Sequence, residues 1–269
     1  MAKNGNHKNV VKREEPPAML MELPEGAVEG TGLGISNEAA DNLVPLVAIL
    51  QPLSPEVDRT SDKYVDGAEP GTILLRSDPV DPKVDGAIGL LFQRCGFQRV
   101  WIEWVDRNQG GGFVARYADV NGRPDCPDDL EKDGYGFRNK RSGNLISNHH
   151  NHVGYVLGRG QPQPYMISYK GAGISESRTW MSLTPRTIGA KKTDAPMFQW
   201  LLTAKQKKNS KGRWFDIHPT FKGLVSKNGK YDEAQVEMGR QLAKSLEQQQ
   251  ISGDFASMSE ASPDDDGRL

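Results

Sequence analysis

The chain has few cysteines, few aromatic residues and no long apolar run. Its two cysteines are Cys95 and Cys126. Two thiols without a CxxC spacing form neither a disulfide framework nor a four-cysteine metal site, so they read as ordinary reduced cysteines. No apolar stretch approaches the roughly 20 residues that cross a bilayer. The segment from Met1 to Pro17 has no apolar signal core. The expectation is a cytoplasmic protein with no membrane contact. The sequence lacks both a P-loop and a GxGxxG fingerprint, so Gly110–Gly112 and Gly171-Ala172-Gly173 match no phosphate-cradling motif. A GxSxG elbow and a pair of catalytic carboxylates are missing too. The expectation is a non-enzymatic protein that needs no cofactor.

What the sequence does have is a divided charge. Tyr165 to Lys230 holds thirteen Lys and Arg against Glu176, Asp194 and Asp216, a net of +10 inside a chain of net −1, which leaves −11 for the rest. Eight aromatics are threaded through that stretch: Tyr165, Tyr169, Trp180, Phe198, Trp200, Trp214, Phe215 and Phe221. Cations neutralise phosphates and flat rings stack on unpaired bases, so the combination suits a single-stranded nucleic acid. The plainer alternative is a solvated basic face with core aromatics in adjacent strands.

Abundant Gly and Pro suggest many turns and a β-rich core. Residues 1–41 lack periodicity and read as a flexible segment. Residues 42–250 read as one β-rich domain. Leu43–Leu50 is apolar but holds Pro45, which argues against a helix interior and suits an edge strand or a short extended element. Thr72–Leu75, Ala87–Phe92, Val100–Val105, Asn151–Leu157, Pro164–Ser168 and Phe198–Thr203 read as strands, and Gly110–Gly112 opens another. Asn121–Ser142 reads as a long polar loop. Ser175–Trp180 can begin a helix. Tyr231–Gln250 carries Val236, Gly239, Leu242, Ala243 and Leu246 on one helical stripe. From Ile251 onward five acids meet one base, a net of −4, which reads as an acidic disordered tail. The expected fold is mainly β with a C-terminal helix, an OB-like barrel between disordered termini.

Lys205, Lys207, Lys208, Lys211 and Arg213 surround a hairpin tip containing Asn209 and Gly212, with Trp214 and Phe215 at its base. Adjacent strand residues face opposite sides, so one of those two rings faces a ligand while the other packs inward. Trp180, Lys191 and Lys192 complete the candidate nucleic-acid-binding set. Trp101 and Trp104 fall on opposite strand faces, one of them in the core. Arg94, Arg99, Arg107 and Arg116 are ordinary surface positions able to add phosphate contacts. His149, His150 and His152 suggest a metal-dependent nuclease, but no further ligand stands at a recognised spacing, and polar strand residues are the simpler reading.

The run Asn42-Leu43-Val44-Pro45-Leu46, Leu50–Glu56, Asp66–Gly71, Val100–Trp104 with Gly110–Phe113, and Asn209–Trp214 resembles a group of bacteriophage and prophage proteins over about residues 42–250. That group fixes no activity. More broadly, an OB-like core with an acidic tail resembles phage replicative single-stranded DNA-binding proteins. Their tails usually finish with an aromatic residue, whereas this sequence finishes Gly267-Arg268-Leu269. The resemblance implies a sequence-independent single-stranded DNA-binding protein of phage replication or recombination in the host cytoplasm. The expected partners are single-stranded DNA, further copies of the chain in a homo-oligomer, and replication or recombination proteins recruited by the tail. The alternative is a phage structural or assembly protein whose basic patch contacts DNA or another subunit.

Overall fold

The computed structural model describes residues 43–76, 82–106, 111–134, 136–159, 162–210, 212–248 and 252–253. Residues 1–41 and, apart from Ser252 and Gly253, the acidic tail lie outside these described residues. The strands begin with β1 (Leu43–Val44), β2 (Leu46–Ile49), β3 (Ile73–Leu75), β4 (Lys83–Val84), β5 (Leu90–Trp104) and β6 (Phe113–Val120). They continue with β7 (Arg123–Pro124), β8 (Leu130–Asp133), β9 (Gly136–Asn139), β10 (Leu145–Val156) and β11 (Pro164–Lys170). Helix α1 (Ile174–Leu183) leads to a small hairpin of β12 (Thr187–Ile188) and β13 (Lys191–Lys192). The ribbon β14 (Phe198–Asn209) and β15 (Gly212–Leu224) follows, then β16 (Ser226–Lys227) and β17 (Lys230–Tyr231). Helix α2 (Glu233–Glu247) and β18 (Ser252–Gly253) end the described chain.

The main sheet runs β15-β14-β5-β10-β11-β2-β3-β4. Its β2–β11 pairing is parallel, while the other neighbours on that path are antiparallel. Strands β5 and β10 lie at its centre, paired from Leu145↔Trp104 to Val156↔Phe92. Both are buried on both faces, so apolar and polar residues alike point into packed surroundings. A bulge between Val153 and Gly154 bends β10. There a Cβ on Gly154 would stand 1.9 Å from the Gln93 carbonyl, so only glycine fits.

The mainly β expectation with a late helix holds. The sheet is a curled half-barrel, coarser than the OB-like barrel expected. One face gathers Val47, Ile73, Phe92, Ile167, Trp180, Trp200 and Ile217. The other gathers Cys95, Val100, Ile102, Val153 and Met166, with α2 laid over it through Leu242 and Leu246. The α2 stripe is as expected, and Asp232 caps the helix by accepting from the Gln235 N–H at 3.0 Å. Gln93 ties this helix to β5. It donates to the carbonyls of Pro196 and Gln235, and it accepts from the Gln235 side chain at 2.7 Å.

Several sequence expectations need correction. The two strands expected at 87–92 and 100–105 are one long β5, and Ala87 and Ile88 belong to the turn before it. Between them, Gln93 finds its partners in distant segments. Trp101 and Trp104 are both core, at 2 % and 6 % exposure, because β5 is covered on both faces. Residues 121–142 are not a plain loop, since β7, β8 and β9 fold back over β5. They are held by Glu103, whose buried carboxylate accepts from Asn144 at 2.8 Å, Ser142 at 3.0 Å, Asn139 and Tyr117. Arg94 is not a surface residue, being 4 % exposed.

The curled sheet brings β15 back towards β2, where no backbone ladder joins them. Gln51, just after β2, fills the gap. Its Nε2 donates to the Phe215 carbonyl at 2.8 Å, and its Oε1 accepts from the Phe215 N–H at 2.9 Å. One side-chain amide thus stands in for a ladder residue. Tyr169 Oη adds a second tie by donating to the Ile217 carbonyl at 3.0 Å. The Phe215 ring lies so close to Gly71 that a Cβ there would come within 2.9 Å of it. We expect Gln51→Ala to cost about 1–3 kcal/mol, because it strands two backbone groups. Urea denaturation of wild type and variant measures this, and unchanged midpoints would show that the seam is held elsewhere.

Candidate nucleic-acid interface

Strand β14 pairs with β5 only over Gln199–Leu202, whereas β14 and β15 remain paired out to Asn209↔Gly212. The distal ribbon is therefore a two-stranded arm. Cross-strand partners share a face, so Lys205↔Asp216 and Lys207↔Trp214 occupy one side, and Gln206↔Phe215 and Lys208↔Arg213 the other. This decides between the two adjacent rings. Phe215 turns inward over Gly71, and Trp214 lies on the opposite face, half-buried. The Trp214 Nε1–H donates to Asp216 Oδ2 at 3.4 Å.

The expected cations have different surroundings. Lys205, Lys208 and Arg213 are exposed and pair with no carboxylate among the described residues. Lys191 and Lys192 are likewise exposed, on β13. Lys211 lies outside the described residues. Lys207 is not a free cation. Its Nζ stands 2.8 Å from both Glu176 Oε1 and Asp216 Oδ2, clamping α1 to the ribbon. His218 Nδ1 joins the same Glu176 at 2.9 Å. Burial works against the charge on Lys207, but the two carboxylates outweigh it and raise its pKa. Burial likewise works against the Glu176 carboxylate, but its bonds from Lys207 and His218 prevail and lower its pKa.

Trp180 must be withdrawn from the binding set. It is fully buried, stacked on His152 at 4.5 Å and edge-on to Trp200 at 5.8 Å. Tyr165, Tyr169, Phe198 and Trp200 are core as well. The plainer alternative therefore accounts for five of the eight interleaved rings. Phe221 is 43 % exposed but sits on Trp200 and Phe198, towards the other end of the ribbon. No local pattern marks the Glu176–Lys207–Asp216–His218 group, whose members meet only through folding.

Beside the inward face of the ribbon lies a cleft of about 240 Å³. Val47, Ile49, Ile167, Ile217 and Phe215 make its apolar walls, and Arg213 stands among its lining residues. The histidines do not converge. His149 faces one side of β10 and bonds Ser147 and Ser168, while His150 and His152 face the other and share Ser177 Oγ at 3.0 and 2.8 Å. Burial lowers His149 to about 3 and His150 to about 4, so both are neutral at physiological pH.

A family model described as Pam3 phage gp34-like protein matches residues 17–252. The chain belongs to this family. No curated protein and no solved structure matches it. The Pam3 phage gp34-like assignment makes it a bacteriophage protein, as the sequence resemblance implied. Among its described residues no helix is long and apolar enough to cross a membrane.

The Glu176 group makes the ribbon's attachment acid-sensitive. Glu176 has a folded pKa below its ordinary 4.5. Its contribution is complete above that value and disappears as pH falls through the folded pKa. Glu176→Gln should lose about 1–3 kcal/mol at neutral pH, and its melting temperature should fall less than wild type's on acidification below 4.5. Thermal melts across pH 3–7 test this, and parallel curves for the two proteins would remove Glu176 from the latch.

Proposed function

We propose that this phage protein binds single-stranded DNA without sequence preference during replication or recombination. The observation that carries the reading is the ribbon arm itself. Exposed Lys205 shares its face with a half-buried Trp214 whose indole is steadied by Asp216, while exposed Lys208 and Arg213 line the opposite face beside Phe215, and none of these three cations pairs with a carboxylate among the described residues. Long cations can follow a phosphate backbone, and a pre-oriented ring can stack on an unpaired base. Lys191 and Lys192 would extend the basic track. The curled half-barrel does the work expected of an OB-like barrel, offering a rigid base from which the arm projects. The acidic residues after Ile251 would recruit phage replication or recombination proteins. No step of chemistry enters this reading, which is that of a binding protein.

One observation favours a second reading, a phage structural or assembly protein whose arm contacts DNA or another subunit. Most of the aromatics in the basic stretch are core, and of the exposed arm cations only Lys205 shares a face with Trp214. The two readings separate on strand preference. Fluorescence anisotropy with oligothymidylate and with duplex of equal length should show tighter binding to the single strand, weakening steeply with salt. Trp214→Ala should cost about 1–3 kcal/mol of that affinity. Arg213→Gln should reduce the salt slope by about one. Equal binding to duplex, with Trp214→Ala indifferent, would favour the assembly reading.

A further inference from the structure

A guanidinium in the core with no counter-charge is the anomaly of this fold. Arg94 lies on β5 and is 4 % exposed. Its Nε has no hydrogen-bond partner among the described residues. Its Nη1 donates to the Met181 Sδ at 2.9 Å, and its Cζ lies 5.6 Å from the centroid of the Trp180 ring. No carboxylate pairs with it among the described residues. A thioether is a weak acceptor, and a ring face compensates a cation only in part. Burying an unpaired charge is otherwise strongly unfavourable.

The surroundings are short of negative charge. His152 stacks on Trp180 and shares Ser177 with His150. Burial holds both imidazoles neutral, and the nearby Arg99 and Arg178 add to the effect at His150. Asp119 is the acid near His150, and it is already bonded to Trp101 Nε1 and Arg99. The same packed group holds other polar atoms without partners, namely His150 Nε2, His152 Nδ1 and Trp180 Nε1. Burial lowers the Arg94 pKa to about 10, so it remains charged at neutral pH. Met181 is 38 % exposed at the end of α1. It is an unbranched side chain that can swing aside and uncover the guanidinium without unfolding the helix.

We infer that Arg94, beneath Met181, is a receptor for an oxyanion of the phosphate class. The ligand would replace the thioether, take the bidentate hydrogen bonds a guanidinium offers, and supply the missing charge. The source can be free phosphate or a phosphate of a bound strand. The inference stands apart from the ribbon arm and does not require it.

Two variants test it. Met181→Glu should supply an internal carboxylate. It should raise the melting temperature by about 2–4 °C and weaken phosphate binding roughly tenfold or more. Arg94→Met should fold with equal or greater stability and lose the phosphate response. Inorganic phosphate, compared with chloride at equal ionic strength, should raise the wild-type melting temperature by a few degrees. Oligothymidylate binding by the same variants assigns the source. Parallel losses mark a strand phosphate, and unchanged oligonucleotide affinity marks a free oxyanion. No phosphate-specific shift in wild type, or a lower melting temperature in Met181→Glu, would overturn the receptor and make Arg94 a core residue held by Trp180. Neither result bears on Trp214 or strand preference, so the two proposals fail separately.

Discussion

The fold depends on one side-chain amide. Strand β15 ends the sheet and curls back beside β2, which already pairs with β11 and β3, so the edge groups of β15 find no ladder across the seam between them. Gln51 bridges that seam to both polar groups of Phe215. The geometry suits a primary amide because it carries a donor and an acceptor side by side, as a peptide unit does. Everything distal to the bridge depends on it. Phe215 settles over Gly71, and Trp214 is consequently turned to the other face of the arm.

A second constraint sets the charge that the arm displays. The basic stretch is not uniformly available, because one of its lysines is used internally. Lys207 holds α1 against the ribbon by satisfying Glu176 and Asp216 together. Its neighbours Lys205 and Lys208 remain exposed. Attachment and display are thus divided among three successive cations of one strand.

Much of this was legible from local pattern. The stripe from Val236 to Leu246 predicts α2 because a helix repeats its buried face within its own sequence. The ribbon is legible because a polar tip with Asn209 and Gly212 separates two strand-like runs. Strict alternation separates His149 from His150 and His152, and Trp214 from Phe215, although it does not say which side faces inward. What failed was reading burial from polarity. Arg94 reads as an ordinary surface position, yet with Gln93 it sits at the sheet centre, where Met181 of α1 and Gln235 of α2 reach these two side chains from far along the chain. Trp180 counted as part of a basic stretch because a linear tally cannot distinguish a ring beside lysines in sequence from one beside them in space. The roles of Gln51 and Glu176 had no local signal, since each is defined by a residue more than forty positions away.

The bridge has a consequence for the sheet edge. The outer edge of β15 carries amide and carbonyl groups that would otherwise invite another chain to add a strand. Gln51 occupies both groups of Phe215, Tyr169 occupies the carbonyl of Ile217, and Pro219 has no N–H to offer. The residues that hold the half-barrel in shape thus also withdraw Phe215, Ile217 and Pro219 from the row of groups that an added strand would need.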